Sequence, residues 1–339
     1  MKTGVSMKLL ILGATGAVGL EVLKLLERLK LKVSHLGLYA TERSSGKVLK
    51  CYGKEYSVQE IGAGSFSGFD YAIFSAGTEA SLKWGFCAVE HWITVIDNSS
   101  AWRMKDSVPL IVPEINMGDI PNPFKKGIIA NPNCSTIQLA VPLKILDDHF
   151  TLEEVFVSTY QSVSGMGLNA INELDSQVND YVSGKELQAW VYHQQIFGNV
   201  IPQIGEFTES GSTEEEDKML FEMRKILHRP ELPIYATAAR VPVFRSHSEA
   251  VTVRLKKDFT ISKIRKVLSL SNALKVFTET DYPTPVFSTG HEEIMIGRLR
   301  KEKADPKVLS FWVVSDNLWK GAALNAVQIL RELIRRKNK

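Results

Sequence analysis

The stretch Leu9-Leu10-Ile11-Leu12-Gly13-Ala14-Thr15-Gly16-Ala17-Val18-Gly19 decides the fold class. Its four consecutive apolar residues read as a short strand buried on both faces. Beyond the glycines, Val18, Val22, Leu25, Leu26 and Leu29 recur at helical spacing, while Glu21, Lys24, Glu27, Arg28 and Lys30 take the other face. Val33–Tyr39 then reads as a second strand. A strand, a helix and a strand at this spacing predict a parallel, right-handed βαβ start. Gly13, Gly16 and Gly19 permit a tight turn and close approach of backbone amides to a pyrophosphate, and the helix N-terminus adds partial positive charge. The G-x-x-G-x-x-G spacing is unspecific alone. Its strand–loop–helix context makes it a candidate nucleotide loop.

Working outward, Tyr71–Ser75 and Thr94–Ile96 read as further strands with a helix between them, so roughly the first 130 residues form a doubly wound domain. The texture changes after Asn131-Pro132-Asn133-Cys134. A helix follows that proline, then strand-like runs at Val155–Tyr160, Ala250–Leu255, Glu293–Ile296 and Val308–Val314, which suggest an α+β second domain. Gly205–Asp217 is dense in Gly, Ser, Thr and Glu and reads as a mobile surface loop. Asn317–Lys339 reads as a terminal helix whose basic end suits the negative pole of its dipole. The expected boundaries are 1–133 and 134–316, with the helix 317–339 packing back onto the first domain.

Composition excludes several classes. The chain has 339 residues, 44% hydrophobic and 23% charged, which is globular and neither fibrous nor disordered. Lys plus Arg is 41 against 38 Asp plus Glu, a net +3. That is no electrostatic footprint for nucleic acid. No apolar stretch approaches the roughly 18 residues of a membrane span. Met7–Leu12 is too short for a signal peptide and no A-x-A-like site follows. Three cysteines make no disulfide framework. A cytoplasmic protein is expected. No His/Cys/Asp/Glu grouping has zinc spacing, so no metal is expected.

The residue types that carry chemistry lie elsewhere. After the second strand come Glu42, Arg43, Ser44 and Lys47. A lone acid there would take the ribose of NAD, whereas an arginine fork suits the 2′-phosphate of NADP, so NADP is favoured. Cys134 opens an apolar helix, where dipole and amides favour a thiolate. Local features leave catalytic and structural readings of it equally open. His247 sits in a polar cluster, Arg245-Ser246-His247-Ser248-Glu249, between apolar runs. It is the histidine best set to serve a thiol nucleophile, although a lone histidine is more often structural. Cys51 and Cys87 have no such setting.

Seven motifs in order resemble the bacterial aspartate-semialdehyde dehydrogenase family. They are Gly13–Gly19, Asp97–Arg103, Val112–Asn116, Asn131–Thr136, Gln161–Gly165, Arg240–Ala250 and Ser315–Ala323. The resemblance implies a Rossmann-type doubly wound parallel sheet with a second α+β catalytic and dimerisation domain. It implies an NADPH-dependent reductive dephosphorylation of L-aspartyl 4-phosphate to L-aspartate 4-semialdehyde through a Cys134 thioester, releasing inorganic phosphate. The pathway implied is lysine, threonine, methionine and diaminopimelate biosynthesis. It casts Cys134 as nucleophile, His247 as acid/base and Gln161 as the group orienting the acyl intermediate. It casts Arg240 as the clamp on the substrate carboxylate, and Arg103, Asn133 and Lys225 as phosphate contacts with Lys218 competing. Glu222 is cast against the substrate amino group. Cofactor contacts implied are Gly13, Thr15, Gly16, Ala17, Val18, Gly19, Arg43, Ser44, Ser75, Ala76, Gly77, Ser164, Gly165 and Asn317. A homodimer or homotetramer is implied. Trp102, Trp319 and Ser246 depart from the usual pattern, and the indole of Trp102 beside Arg103 raises the question of a reshaped phosphate pocket. Two alternatives stand beside this reading: N-acetyl-γ-glutamyl-phosphate reductase, and a catalytically inactive binding paralogue.

Overall fold

The computed structural model describes residues 7–124, 126–278 and 280–337, and of Arg43 only the backbone. Arg43's expected contact therefore lies outside the described side chains, as do Lys2 and Lys339. In chain order the strands are β1 (Met7–Leu12), β2 (Val33–Ala40), β3 (Val48–Cys51), β4 (Lys54–Ser57), β5 (Gln59–Glu60), β6 (Tyr71–Phe74), β7 (Thr94–Asp97), β8 (Gly127–Ala130), β9 (Leu152–Gln161), β10 (Ile234–Arg240), β11 (His247–Leu255), β12 (Leu274–Val276), β13 (Ile294–Lys301) and β14 (Val308–Ser315). The helices are α1 (Ala17–Arg28), α2 (Thr78–Glu90), α3 (Pro113–Asn116), α4 (Cys134–Phe150), α5 (Leu168–Val182), α6 (Glu214–Leu227), α7 (Ile261–Leu268), α8 (Pro285–Ser288) and α9 (Leu324–Lys337). Two compact units form, one from residues 1–133 with 322–339, the other from 134–321.

The first unit is built on a six-stranded sheet ordered β5-β2-β1-β6-β7-β8, every pair parallel. Leu9–Leu12 are fully buried, as a strand covered on both faces requires. On α1, Val22, Leu25 and Leu26 are fully buried, so its apolar stripe faces the core. The chain runs outward from β1 to β2, then returns to β6 on the other side of β1. That is the switch point beside which open α/β sheets bind ligands. Leu12 pairs with Tyr39 on one side and Phe74 on the other, so three strands end side by side. The segments that leave this edge are Gly13–Gly16, Glu42–Ser44 and Ser75–Gly77. α9 packs beside α1 and β7.

The second unit carries a mixed sheet ordered β10-β9-β11-β14-β13-β12. Its three central pairings, β9 with β11, β11 with β14 and β14 with β13, are antiparallel, and the outer two are parallel. Helices α4, α6 and α7 pack on it. The α/β class with a second α+β part is what the sequence predicts.

Three boundaries differ from the sequence reading. The expected loop Gly205–Asp217 ends early, because α6 begins at Glu214. Thr213 caps it: its hydroxyl accepts from the Glu216 amide at 3.5 Å, and Glu216 accepts from the Thr213 amide at 2.7 Å. This capping box satisfies otherwise orphaned helix amides, so the four acids at 214–217 belong to a helix start, where the dipole favours them. The terminal helix starts at Trp319 with a π-helical turn, Trp319–Ala323, before α9. Strand β10, absent from the sequence reading, pairs with β9 over seven residues.

Candidate active site

In the first unit the glycines have distinct reasons. Gly13 has φ of 86°, and a Cβ there would lie 2.6 Å from the Ser75 carbonyl. At Gly19 a Cβ would lie 2.2 Å from the Gly13 oxygen, so only glycine lets α1 close onto the loop. Gly16 is different. Its φ is −78° and a Cβ would meet nothing closer than 3.4 Å. The protein itself does not demand glycine there. Gly16 is the N-cap of α1 and no side chain caps that helix. Thr15 lies in the turn and Ala17 and Val18 open α1. Ser75 ties this edge together, its hydroxyl donating to the Leu12 carbonyl at 3.2 Å. Gly77, at φ 89°, starts α2 with Ala76 before it. Ser44 ends the short turn after β2.

Arg103 is built on this unit too. Asp97, fully buried at the end of β7, accepts from the Ser81 hydroxyl at 2.5 Å and from the Ser99 amide at 2.8 Å. Burial raises its pKa, and those hydrogen bonds and the Arg103 charge oppose the rise. The Arg103 guanidinium donates to the carbonyls of Asn131 at 3.0 Å and Asn98 at 2.8 Å. The Asn131 amide donates to Asn98 Oδ1 at 2.7 Å. Asp97-Asn98-Ser99 and Asn131 thus form one polar scaffold that pins Arg103. The Trp102 indole is buried, edge-on to Phe86 at 5.1 Å and against the bare Gly85.

The second unit assembles the rest. Cys134 is the first residue of α4. Gly321 lies against it, since a Cβ there would be 2.9 Å from Cys134 Cβ. Gln161 ends β9 and pairs across the sheet with Arg240, the last residue of β10. His247 opens β11 and pairs with Ser315 at the end of β14. Ser248 pairs with Tyr160, so His247 lies beside the β9 terminus. All three side chains are buried.

The histidine is held in one tautomer. Its Nδ1 accepts from the Ser162 amide at 3.0 Å, so Nδ1 carries no proton and Nε2 does. Burial, then the Arg240 charge, pushes its pKa well below the usual 6.5, so it is neutral. Nε2 is buried and has no partner among the described residues. Ser162 Oγ lies 3.1 Å from Nδ1 and 3.1 Å from Ser164 Oγ. The Asn317 amide donates to Ser164 Oγ at 2.9 Å, and Asn317 Oδ1 accepts from the Ser246 amide at 2.9 Å. Ser246 takes φ of 74°, a strained backbone fixed by that bond. Next to Asn317, the fully buried Asp316 accepts the Arg245 guanidinium at 2.9 Å. Ser164 and Asn317, expected as cofactor contacts, are thus built into the support of His247. Gly165 lies over the same group: a Cβ there would sit 2.8 Å from Arg240 Nη1 and 3.3 Å from the His247 ring.

Residues 8–122 match the family described as semialdehyde dehydrogenase, NAD binding domain, and 143–320 match the semialdehyde dehydrogenase, dimerisation domain. An aspartate-semialdehyde dehydrogenase of Aquifex aeolicus (strain VF5) is 46% identical over 330 residues, 96% of this chain and 97% of that one. The chain belongs to the aspartate-semialdehyde dehydrogenase family. The crystal structure of aspartate semialdehyde dehydrogenase II from Vibrio cholerae superposes with a TM-score of 0.95 at 40% identity, covering 98% of this chain and 99% of that one. The same Vibrio protein complexed with ASA superposes equally well, at 0.95.

Within this family frame, the structure separates the sequence candidates. It joins Gln161, Arg240, His247, Ser164, Gly165 and Asn317 in one unit with Cys134. It brings Glu215 to Gln161, whose amide donates to Glu215 Oε1 at 3.0 Å. Lys218 Nζ lies 3.9 Å from Glu215. Glu222 is buried on the same helix, seven residues and so about 10 Å further along, and Lys225 follows it. Glu215, not singled out in the sequence, is thus the acid that holds the Gln161 amide. Sequence reasoning missed Glu215 by reading 205–217 as loop; the Thr213-x-x-Glu216 capping signature was the available signal. It also gave Ser162 and Gly321 no role. Glu249 is fully buried two residues past His247; burial pushes its pKa well above the carboxylate range, with the Gln138 side chain pulling against the rise. Among the described residues no cluster of three or more His, Cys, Asp or Glu could hold a metal ion. No described helix is long and apolar enough to cross a membrane.

Proposed function

We propose that the chain reduces L-aspartyl 4-phosphate to L-aspartate 4-semialdehyde and inorganic phosphate, with NADPH as reductant. The observation that carries this is the second unit's cluster: a cysteine at a helix start with a neutral, partnerless His247 Nε2–H, Gln161 and Arg240. A nicotinamide dinucleotide fits the first unit. The loop stands at the sheet's switch point, no side chain caps α1, and the missing side chain at Gly16 leaves open space that the protein does not need. Gly13, Thr15–Val18, Gly19 and Ser75–Gly77 would hold it, with Arg43 and Ser44 favouring a 2′-phosphate. When bound, it supplies the hydride that converts an acyl carbon to an aldehyde carbon.

The chain's own groups do the rest. Cys134 Sγ bonds to the acyl carbon as the C–O bond to phosphate breaks, and phosphate leaves with that electron pair. Arg103, Asn133 and Lys225 stand as phosphate contacts, with Lys218, 3.9 Å from Glu215, competing. Arg240 clamps the α-carboxylate. Gln161, steadied by Glu215, orients the acyl group, and the buried Glu222 is the acid offered to the substrate ammonium. His247 holds its proton at Nε2 and donates it as a hydrogen bond to the acyl oxygen as negative charge develops there, a contribution typically worth about 3 kcal/mol. The C–S bond then breaks, Sγ leaves with its electrons and the thiolate is restored.

The boundaries 1–133 with the terminal helix, and 134–316, are proposed as the nucleotide-binding and the catalytic and dimerisation domains. A homodimer is proposed through the sheet face opposite α4 and α6, where Phe156, Tyr160 and Tyr235 are exposed. Its three cysteines are free, in keeping with a cytoplasmic site. The test is phosphate-dependent reduction of NADP+ with L-aspartate 4-semialdehyde. Activity that falls about 10³-fold or more in Cys134→Ser supports the proposal. Activity only with N-acetylglutamate semialdehyde, or none, overturns it.

A further inference from the structure

One segment of the second unit takes no part in the cluster above yet is built against it. Residues 188–197 have no regular secondary structure. Two fully buried side chains on α5 hold them instead. Glu173 accepts from the amides of Trp190, at 3.1 Å, and Val191. Gln177 Oε1 accepts from the amides of Ile196 and Phe197 at 3.0 and 2.9 Å, and its Nε2 donates to the Gln188 carbonyl at 2.9 Å. An irregular strap with its backbone satisfied this way is a rigid element. A few residues on, Ile201 exchanges both backbone hydrogen bonds with Arg240, at 2.9 and 2.8 Å. The strap is therefore held at both ends by α5, and the chain just past it is tied to the backbone of the residue proposed to bind the substrate carboxylate.

Tyr192 lies between the two clamps. Its hydroxyl is buried and has no partner among the described residues, and Arg240 Nε is in the same condition. Leaving a buried phenol and a buried guanidinium N–H both unpaired is costly, and native folds accept it where a ligand completes the bonds. Burial pushes the Tyr192 phenol up to about 12, with the Arg240 charge pulling against it. It therefore remains a hydrogen-bond donor throughout the working range.

We infer that Tyr192 is a substrate-binding residue, its hydroxyl donating to the α-carboxylate that Arg240 clamps. This deepens the proposed function and rests on it. The anion would receive a neutral donor from the strap and charged donors from β10, which selects amino-acid acyl phosphates over simple ones.

Tyr192→Phe removes only the hydroxyl. The expected result is a KM for L-aspartate 4-semialdehyde raised about tenfold, kcat within about twofold of wild type, and an unchanged or higher Tm. In an Arg240→Lys background the same substitution costs less, because both groups serve one carboxylate. A purely structural tyrosine would leave KM unchanged, and that result, or full additivity with Arg240→Lys, overturns the inference. A wild-type protein without semialdehyde activity would instead sink the proposed function, and this inference with it.

Discussion

A single missing methyl group shapes the space around the proposed carboxylate clamp and the histidine. Gly165 is close enough to Arg240 and His247 that a Cβ would force one of them to move. Both are pinned, Arg240 Nη1 by the Ser162 carbonyl at 2.7 Å and His247 by the Ser162 amide, so neither yields cheaply. Gly165→Ala is therefore expected to keep the fold and lower kcat/KM about 10²-fold, the cost of misplacing groups by a fraction of an ångström. Steady-state kinetics with a parallel thermal melt checks it; unchanged kinetics would show the space is not used. At this scale the sequence was partly legible. Cys134 stood out because a helix start gives a thiol a reason to ionise, and His247 because it lies among polar residues between apolar strands. Glu215 did not, because three consecutive glutamates look alike until α6 is set against the sheet. Ser162 did not either, since its role rests on a backbone amide.

Among the elements, the β1–α1 junction shows how one motif holds glycines of different kinds. Gly19→Ala pushes a methyl into the Gly13 carbonyl and is expected to destabilise the protein by roughly 1–3 kcal/mol, read as a lowered Tm. Gly16→Ala is expected to leave Tm nearly unchanged and to raise KM for the nicotinamide cofactor, because the protein itself leaves that space empty. A large Tm loss in Gly16→Ala would contradict the division. This βαβ start was legible because strand, loop and helix each follow local pattern. β10 was not. Three of the seven residues of Ile234-Tyr235-Ala236-Thr237-Ala238-Ala239-Arg240 are alanine, so its alternation is too faint to read, and pairing with β9 is what makes it a strand. Its last residue is Arg240, so the element that was missed carries a residue that was found.

For the whole molecule, the exposed aromatics of the second sheet are the surface to which the dimer is assigned. Phe156 and Tyr235 stack at 4.7 Å, 45% and 54% exposed. Tyr160 lies 5.5 Å from Trp312 in the same sheet. An apolar patch of this kind on a protein otherwise rich in charge marks an interaction surface. A charge on it, Tyr235→Glu, is expected to shift the protein from dimer to monomer in sedimentation velocity; a dimer that survives would move the interface elsewhere. The two-part organisation was visible as a change of texture after Asn133, but which sheet face stays open depends on where α4 and α6 pack, which composition does not encode.

The proposed covalent step at Cys134 precedes any reduction. The protein mixed with L-aspartyl 4-phosphate, with no nicotinamide present, is predicted to gain the mass of one aspartyl group on the peptide that contains Cys134, and Cys134→Ala to gain none. An unchanged mass on that peptide, in a preparation active in the full assay, would contradict it.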